Sequence, residues 1–257
     1  MSSSSMLRRI VLVGLALPVS LLGASGAQAL GGLTAAQIVD KNVVAKGGLQ
    51  AWRAVQTMTF SGKMDAGGKS RTQLPFMLEK KRTRKMRVEI AFANDTAVQV
   101  YDGANGWKLR PYLGRRMVEP YSPEELKSAA YESDVDGPLV DYAGKGSKVE
   151  LEGVEKVENQ DAYKLKIIMK GGLAEHVWLD AATFLEVKVE GTPRRMDGKM
   201  RSVSIYLRDY KTVNGLKVPY VIETAVEGNR DTHKMMIDTV AVNQKLVDTL
   251  FAKPNVR

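Results

Sequence analysis

The 257-residue chain contains no cysteine. It therefore has no disulfide, no thiolate nucleophile, no cysteine-held metal and no cysteine to accept a lipid. A chain of this length can bury enough surface to fold without crosslinks, which only much smaller secreted domains require. Histidine is scarce as well: the two present, His176 and His233, lack the H-x-x-H or H-E-x-x-H spacing of zinc sites. No Gly-x-Ser-x-Gly elbow and no Ser-x-x-Lys occurs, so acyl-enzyme chemistry has no visible nucleophile. Carboxylates such as Glu132 and Asp134 are not placed as a hydrolytic pair by any feature of the sequence. The reading is a binding protein without catalysis, metal or cofactor.

Long apolar runs are also missing. The longest, Ile10 to Leu22, contains Pro18 and is shorter than the roughly 20 residues needed to span a bilayer. It follows Arg8-Arg9 and precedes Ala27-Gln28-Ala29, the layout of a secretory signal peptide. Residues 1–29 are expected to be removed by cleavage after Ala29, leaving 30–257 as one domain in the periplasm. Negative charge is in deficit: 38 Lys and Arg stand against 29 Asp and Glu, a formal charge of +9. That excess favours anionic partners. Export removes most nucleic-acid roles, and the densest basic run has no aromatics interleaved with it, so no nucleic-acid partner is expected.

That run, Lys80-Lys81-Arg82-Thr83-Arg84-Lys85-Met86-Arg87, reads as a hairpin tip whose charges fan into water. Its functional reading is a membrane-facing cluster of Lys80, Lys81, Arg82, Arg84 and Lys85 on an anionic lipid surface, with Arg115-Arg116 and Arg194-Arg195 able to join it. Glu132-Ser133-Asp134-Val135-Asp136-Gly137 imitates half a calcium loop, but Ala143 stands where the bidentate glutamate should fall and Pro138 follows the glycine. An interhelical turn fits better. Met77, Met86, Met169 and Met200 fall in strand-like segments, where thioethers suit an adaptable apolar interior.

What is present is mostly alternation. Thr34 and Gln37 form a capping box ahead of Ile38, Val39, Val43 and Val44, with Gly47-Gly48 as the stop. A short helix from Leu49 to Val55 carries Trp52. Period-2 strands then dominate: Leu74, Phe76, Leu78; Met86, Val88, Ile90, Phe92; Val98, Val100; Tyr163 to Met169; Leu185 to Val189; Val203 to Leu207. Asn214-Gly215 marks a type I′ hairpin, because both central residues of that turn need φ > 0. Ser122-Pro123-Glu124-Glu125 opens an inserted helix with serine at the cap and proline at N1. A further short helix is expected to carry Leu139, Val140 and Tyr142. About ten antiparallel strands must curl. The predicted fold is mainly β: a curved antiparallel sheet forming an incomplete, half-open barrel, with N-terminal helices and inserted lid or plug helices.

Several segments together carry a family resemblance: Tyr101-Asp102-Gly103-Ala104-Asn105-Gly106-Trp107, Asp136-Gly137-Pro138-Leu139-Val140-Asp141-Tyr142, Gly146 to Leu151, and Asp209 to Pro219 with its Asn214-Gly215. With Ile38 to Trp52 at the start and Val242 to Pro254 at the end, the chain resembles the outer-membrane lipoprotein-sorting, LolA-like, family. The resemblance implies an incomplete barrel lidded by helices, a hydrophobic cavity for lipoprotein or lipid acyl chains, and an inner-membrane lipid or lipoprotein transporter as partner. On this reading the cavity wall is Phe76, Val88, Ile90, Trp107, Ile167, Trp178, Ile205 and Leu207 from the sheet. Leu126, Leu139, Val140 and Tyr142 face it from the helices. The alternative is an envelope interaction module of the same fold with a filled core.

Overall fold

The computed structural model describes residues 32–65, 72–196 and 198–255; the expected signal segment, 1–29, lies outside the described residues. Among the described residues, three α-helices, α1 (Ala35–Ala45), α2 (Leu49–Ala54) and α3 (Pro123–Glu132), accompany thirteen strands. The first six strands are β1 (Thr57–Asp65), β2 (Gln73–Lys81), β3 (Lys85–Phe92), β4 (Asp95–Tyr101), β5 (Gly106–Arg110) and β6 (Arg115–Pro120). The other seven are β7 (Lys148–Val157), β8 (Gln160–Ile168), β9 (Ala174–Asp180), β10 (Glu186–Met196), β11 (Lys199–Val213), β12 (Leu216–Val226) and β13 (His233–Val242).

All thirteen belong to one antiparallel sheet in the order β6-β5-β4-β3-β2-β1-β13-β12-β11-β10-β9-β8-β7. Two meanders, β1 to β6 and β7 to β13, are thus joined in the middle by pairing of the first strand with the last, Met58 opposite Val242 and Phe60 opposite Val240. The free edges are β6 and β7, which are neighbours in sequence. They are connected by residues 121–147, the segment that contains α3, so the gap in the barrel and the inserted helix arise from one topological choice.

The predicted caps form. Gln37 N donates to Thr34 Oγ1 at 3.3 Å and Thr34 N to Gln37 Oε1 at 2.9 Å; Ser122 N donates to Glu125 Oε2 at 2.7 Å and Glu125 N to Ser122 Oγ at 3.2 Å. Asn214 and Gly215 both have positive φ, 49° and 80°, in the tight β11–β12 turn. The expected short helix over 139–142 is instead a run of turns. Pro138 follows a left-handed Gly137, and Asp141 itself has φ 54°, so no helical ladder can propagate there.

The concave face carries three packed zones. Ile38 and Val39 of α1 meet Leu165, Ile167, Val177 and Leu179 of β8 and β9. Trp52 of α2, with Val135 and Val140 of the connecting segment, meets Met58, Phe76, Leu216, Val218 and Ile237. Ala129 of α3 meets Met86 and Tyr101. On the opposite face Val98 and Val100 are covered by Phe251 of the C-terminal 3-10 turn.

Candidate ligand cavity

Between these zones the concave face is not filled. A cavity of about 250 Å³ opens among β1, β2, β10, β11, β12 and β13, roofed by Trp52 and by residues 134–138. Its wall is largely apolar: Met58 and Phe60 of β1, Phe76 and Leu78 of β2, Val189 of β10, Leu207 of β11, Ile222 of β12, and Met235 and Ile237 of β13. On β2 the inward parity is Phe76, Leu78 and Lys80, and these stand opposite Gly62, Phe60 and Met58 of β1. Gly62 allows the β13 backbone to pack closely against β1: a Cβ there would lie 2.0 Å from the Met236 carbonyl oxygen.

Two polar clusters interrupt the apolar wall. In the first, Lys46 at the end of α1 donates from Nζ to Glu186 Oε1 at 2.7 Å, with both side chains almost fully buried. The Tyr210 hydroxyl donates to the Glu186 carbonyl at 2.9 Å, and burial beside the Glu186 carboxylate pushes its phenol well above the ordinary value. Tyr210 follows Asp209, whose φ is 52°; the β11–β12 register runs on unbroken, Arg208 opposite Val221 and Tyr210 opposite Pro219, and Tyr210 lines the cavity. Trp52 Nε1 donates to the Lys46 carbonyl at 3.1 Å, which fixes the ring over the cavity.

In the second cluster, Asp136 accepts from Arg82 Nη2 at 2.7 Å and from Lys145 Nζ at 2.5 Å, and Lys145 also reaches Asp134 Oδ2 at 2.8 Å. Asp134 is raised above its usual range by burial and by its hydrogen bond with Asp136. Burial raises Asp136 as well, but hydrogen bonds from Asp134, Lys145 and Arg82 outweigh it and hold that carboxyl low. Arg82 donates further to the Trp52 carbonyl at 2.7 Å and to the Val55 carbonyl. The β2–β3 turn therefore ties the end of α2 and the 134–138 roof to the sheet.

α3 bridges the gap. Lys108 of β5 binds Glu125 at the helix start, Nζ to Oε2 2.6 Å, and at the helix end the Tyr131 hydroxyl donates to Glu175 of β9. Glu175 is pushed up to about 7, chiefly by burial and further by the nearby Glu190 carboxylate; Tyr131 and His176 pull the other way.

Of the wall positions named from sequence, Phe76 and Leu207 line this cavity. Ile90 and Val140 pack in the zone around Trp52, Leu139, Tyr142 and Ile167 in the zone under α1, and Val88 and Leu126, the latter from α3 itself, around Met86, Tyr101 and Ala129. Ile205 shares the face of Leu207 and is paired with Val189 and Thr224. Trp107 and Trp178 correct the expectation of large rings inside the barrel. Trp107 packs with Val98, Val100 and Phe251 on the far face, and Trp178 lies there too, beneath Lys188 at 4.2 Å with its Nε1 on Glu155 at 2.9 Å. On β5 the apolar pair Trp107 and Leu109 faces away from the helices while Lys108 meets α3, so alternation alone does not say which face is inside.

The basic cluster is also placed differently from a tip fanning into water. Lys80 points into the cavity, Lys81 and Lys85 bind Asp248 at 2.8 and 3.1 Å, and Arg82 is the clamp just described. Arg84, at φ 64°, is exposed. Sequence reading did not single out Lys46, Glu186 or Tyr210. The Lys46–Glu186 contact spans 140 positions and the Tyr210–Glu186 contact 24, beyond the reach of local pattern, and the available signal was a lysine and a glutamate at the borders of apolar segments.

No protein-family model matches the chain, and no curated protein matches it at a significant level. Solved structures do match. A putative outer membrane lipoprotein-sorting protein domain from Vibrio parahaemolyticus superposes with a TM-score of 0.56 at 16% identity, over 85% of this chain and 96% of that one. A LolA superfamily protein from Nitrosomonas europaea gives 0.55 at 13% identity, over 86% and 98%. The chain has the LolA-like fold. A third match, a DUF1329 family protein from Desulfovibrio piger, gives 0.54 at 14% identity, over 85% and 97%. The LolA-like barrel is an open one, in keeping with the unpaired β6 and β7 edges here.

Proposed function

We propose that this chain is a non-catalytic carrier of the cell envelope that holds the acyl chain of a lipid or lipoprotein between sheet and helices. The observation that carries the reading is the apolar cavity beneath the α2 and 134–138 roof. At about 250 Å³ it falls just below the roughly 300–1,000 Å³ usual for small-molecule sites, which suits one chain and not a multiply acylated anchor. Burial of a chain contributes about 0.8 kcal/mol per CH₂, so a single chain is held reversibly. Asp134 and Asp136, the carboxylates closest to a hydrolytic pair, are occupied by Lys145 and Arg82, which supports binding over catalysis. Export to the periplasm by residues 1–29 and hand-over to or from an inner-membrane transporter complete the proposal.

Native mass spectrometry of protein purified from cell envelopes tests it. Co-purified lipid that is lost on substituting Leu207→Arg supports a carrier. Protein that emerges empty, and that takes up no acyl probe after delipidation, rules one out. The three packed zones on the concave face favour the second reading, a protein-interaction module, in that event.

A further inference from the structure

Lys80 stands in a row where every other side chain is apolar. Its inward neighbours along β2 are Leu78 and Phe76, and its cross-strand partners are Met58 of β1 and Met86 of β3. A methionine would serve the packing there. The ammonium has three donors, and the hydrogen bond it makes among the described residues goes to the backbone carbonyl of Asp134, at a long 3.2 Å. Glu132, Asp134 and Asp136 lie close enough to stabilise the charge, but burial outweighs them and lowers its pKa. Asp136 is committed to Arg82 and Lys145, and Asp134 to Lys145. Lys46, which also lines the cavity, is neutralised by Glu186. Lys217 adds a further lysine to the lining.

A buried cation is costly unless paired and hydrogen-bonded. Here the missing acceptor lies on the cavity side. From Lys80 to Phe76 the β2 row runs about 13 Å at the rise of a strand, and Met58 and Phe60 flank it on β1. The row is an apolar track with a positive charge at one end.

Resting on the carrier reading above, we infer that the cavity selects a single-chain anionic amphiphile, with its carboxylate or phosphate head on the Lys80 ammonium and its chain along Leu78, Phe76 and Phe60. The head replaces the weak contact to Asp134 with charge-assisted hydrogen bonds, which are the stronger kind.

Calorimetric titration of the delipidated protein near neutral pH, with dodecanoate, dodecyl phosphate and dodecanol as probes, separates the outcomes. Tighter binding of either anion than of the alcohol, by about tenfold for one charge-assisted hydrogen bond, supports the inference, and the preferred anion identifies the head. Lys80→Met is expected to bring anion affinity down to about the level of the alcohol, and Lys80→Arg to keep the preference. Equal or tighter binding of dodecanol by the native protein overturns the inference and leaves the carrier reading standing. Binding of none of the three overturns both. Should Lys80→Met fail to fold, the ranking in the native protein decides on its own.

Discussion

The buried Lys46–Glu186 pair is where one substitution should cost most. Its side chains retain 10% and 7% of their surface, and it joins the C-terminal end of α1 to the start of β10 across the cavity. Lys46→Met removes the cation but leaves a carboxylate in the interior with the Tyr210 hydroxyl, 3.3 Å from Oε2, as its polar neighbour. Breaking a buried pair on one side costs about 3–5 kcal/mol, because the other charge is stranded without water. Against a typical stability of about 5–15 kcal/mol that is a large fraction. With a urea m-value of about 3 kcal/mol/M, the midpoint should fall by about 1–1.7 M with m unchanged. The double variant Lys46→Met, Glu186→Met strands no charge and should be more stable than Lys46→Met alone, since apolar replacement of a buried pair is often neutral. Urea titrations of native, single and double variants, followed by tryptophan fluorescence, measure this. A single-variant loss below about 1 kcal/mol, the range of exposed pairs, or a double variant worse than the single, would refute the claim that the pair is desolvated and mutually dependent.

Glu175 titrates at about 7 in the fold against an unperturbed 4.5, so the native state binds the extra proton. Stability should therefore be fully present below about pH 4.5 and decline as pH rises to about 7, and Glu175→Gln should flatten that slope in thermal melts across the window. Gly62→Ala would put a Cβ 2.0 Å from the Met236 carbonyl oxygen, backbone that cannot swing aside; a loss of about 1–3 kcal/mol in chemical denaturation is expected from such overpacking. Ser122→Ala removes the α3 cap and should cost about 1 kcal/mol, read as faster amide exchange in the first turn of α3.

Local chemistry was legible in the chain, and long-range partnership was not. Thr34, Ser122 and Asn214-Gly215 act on residues within three or four positions, so the caps and the tight turn could be read directly. The Glu158-Asn159 turn has the same positive φ at both residues, 49° and 69°, but carries no glycine to announce it. About ten strands were visible against thirteen found. The decisive pairing, β1 with β13, joins the two ends of the domain and has no local trace. The basic run misled for the same reason. Lys81 and Lys85 find Asp248, and Arg82 finds Asp136, through tertiary contacts that charge density along the sequence cannot reveal.

The open gap depends on edges that resist pairing. A free strand edge invites another strand, and proteins guard against this with short strands, charges, proline and bulges. β6 is short and ends in Pro120, which has no N–H to offer. β7 exposes Lys148, Glu150, Glu155 and Lys156 and is bent by a register shift next to Gly153, at φ 138°. Neither edge is suited to zip onto the other or onto a second copy, so the barrel stays open without a partner. What spans the opening is α3, tied to β5 through Glu125 and to β9 through Tyr131. These are side-chain contacts, individually weak beside a backbone ladder, and they can break without unpairing any strand. The 134–138 roof of the cavity follows directly on α3, so under the carrier proposal release of these side chains would free the roof to move without unfolding the sheet.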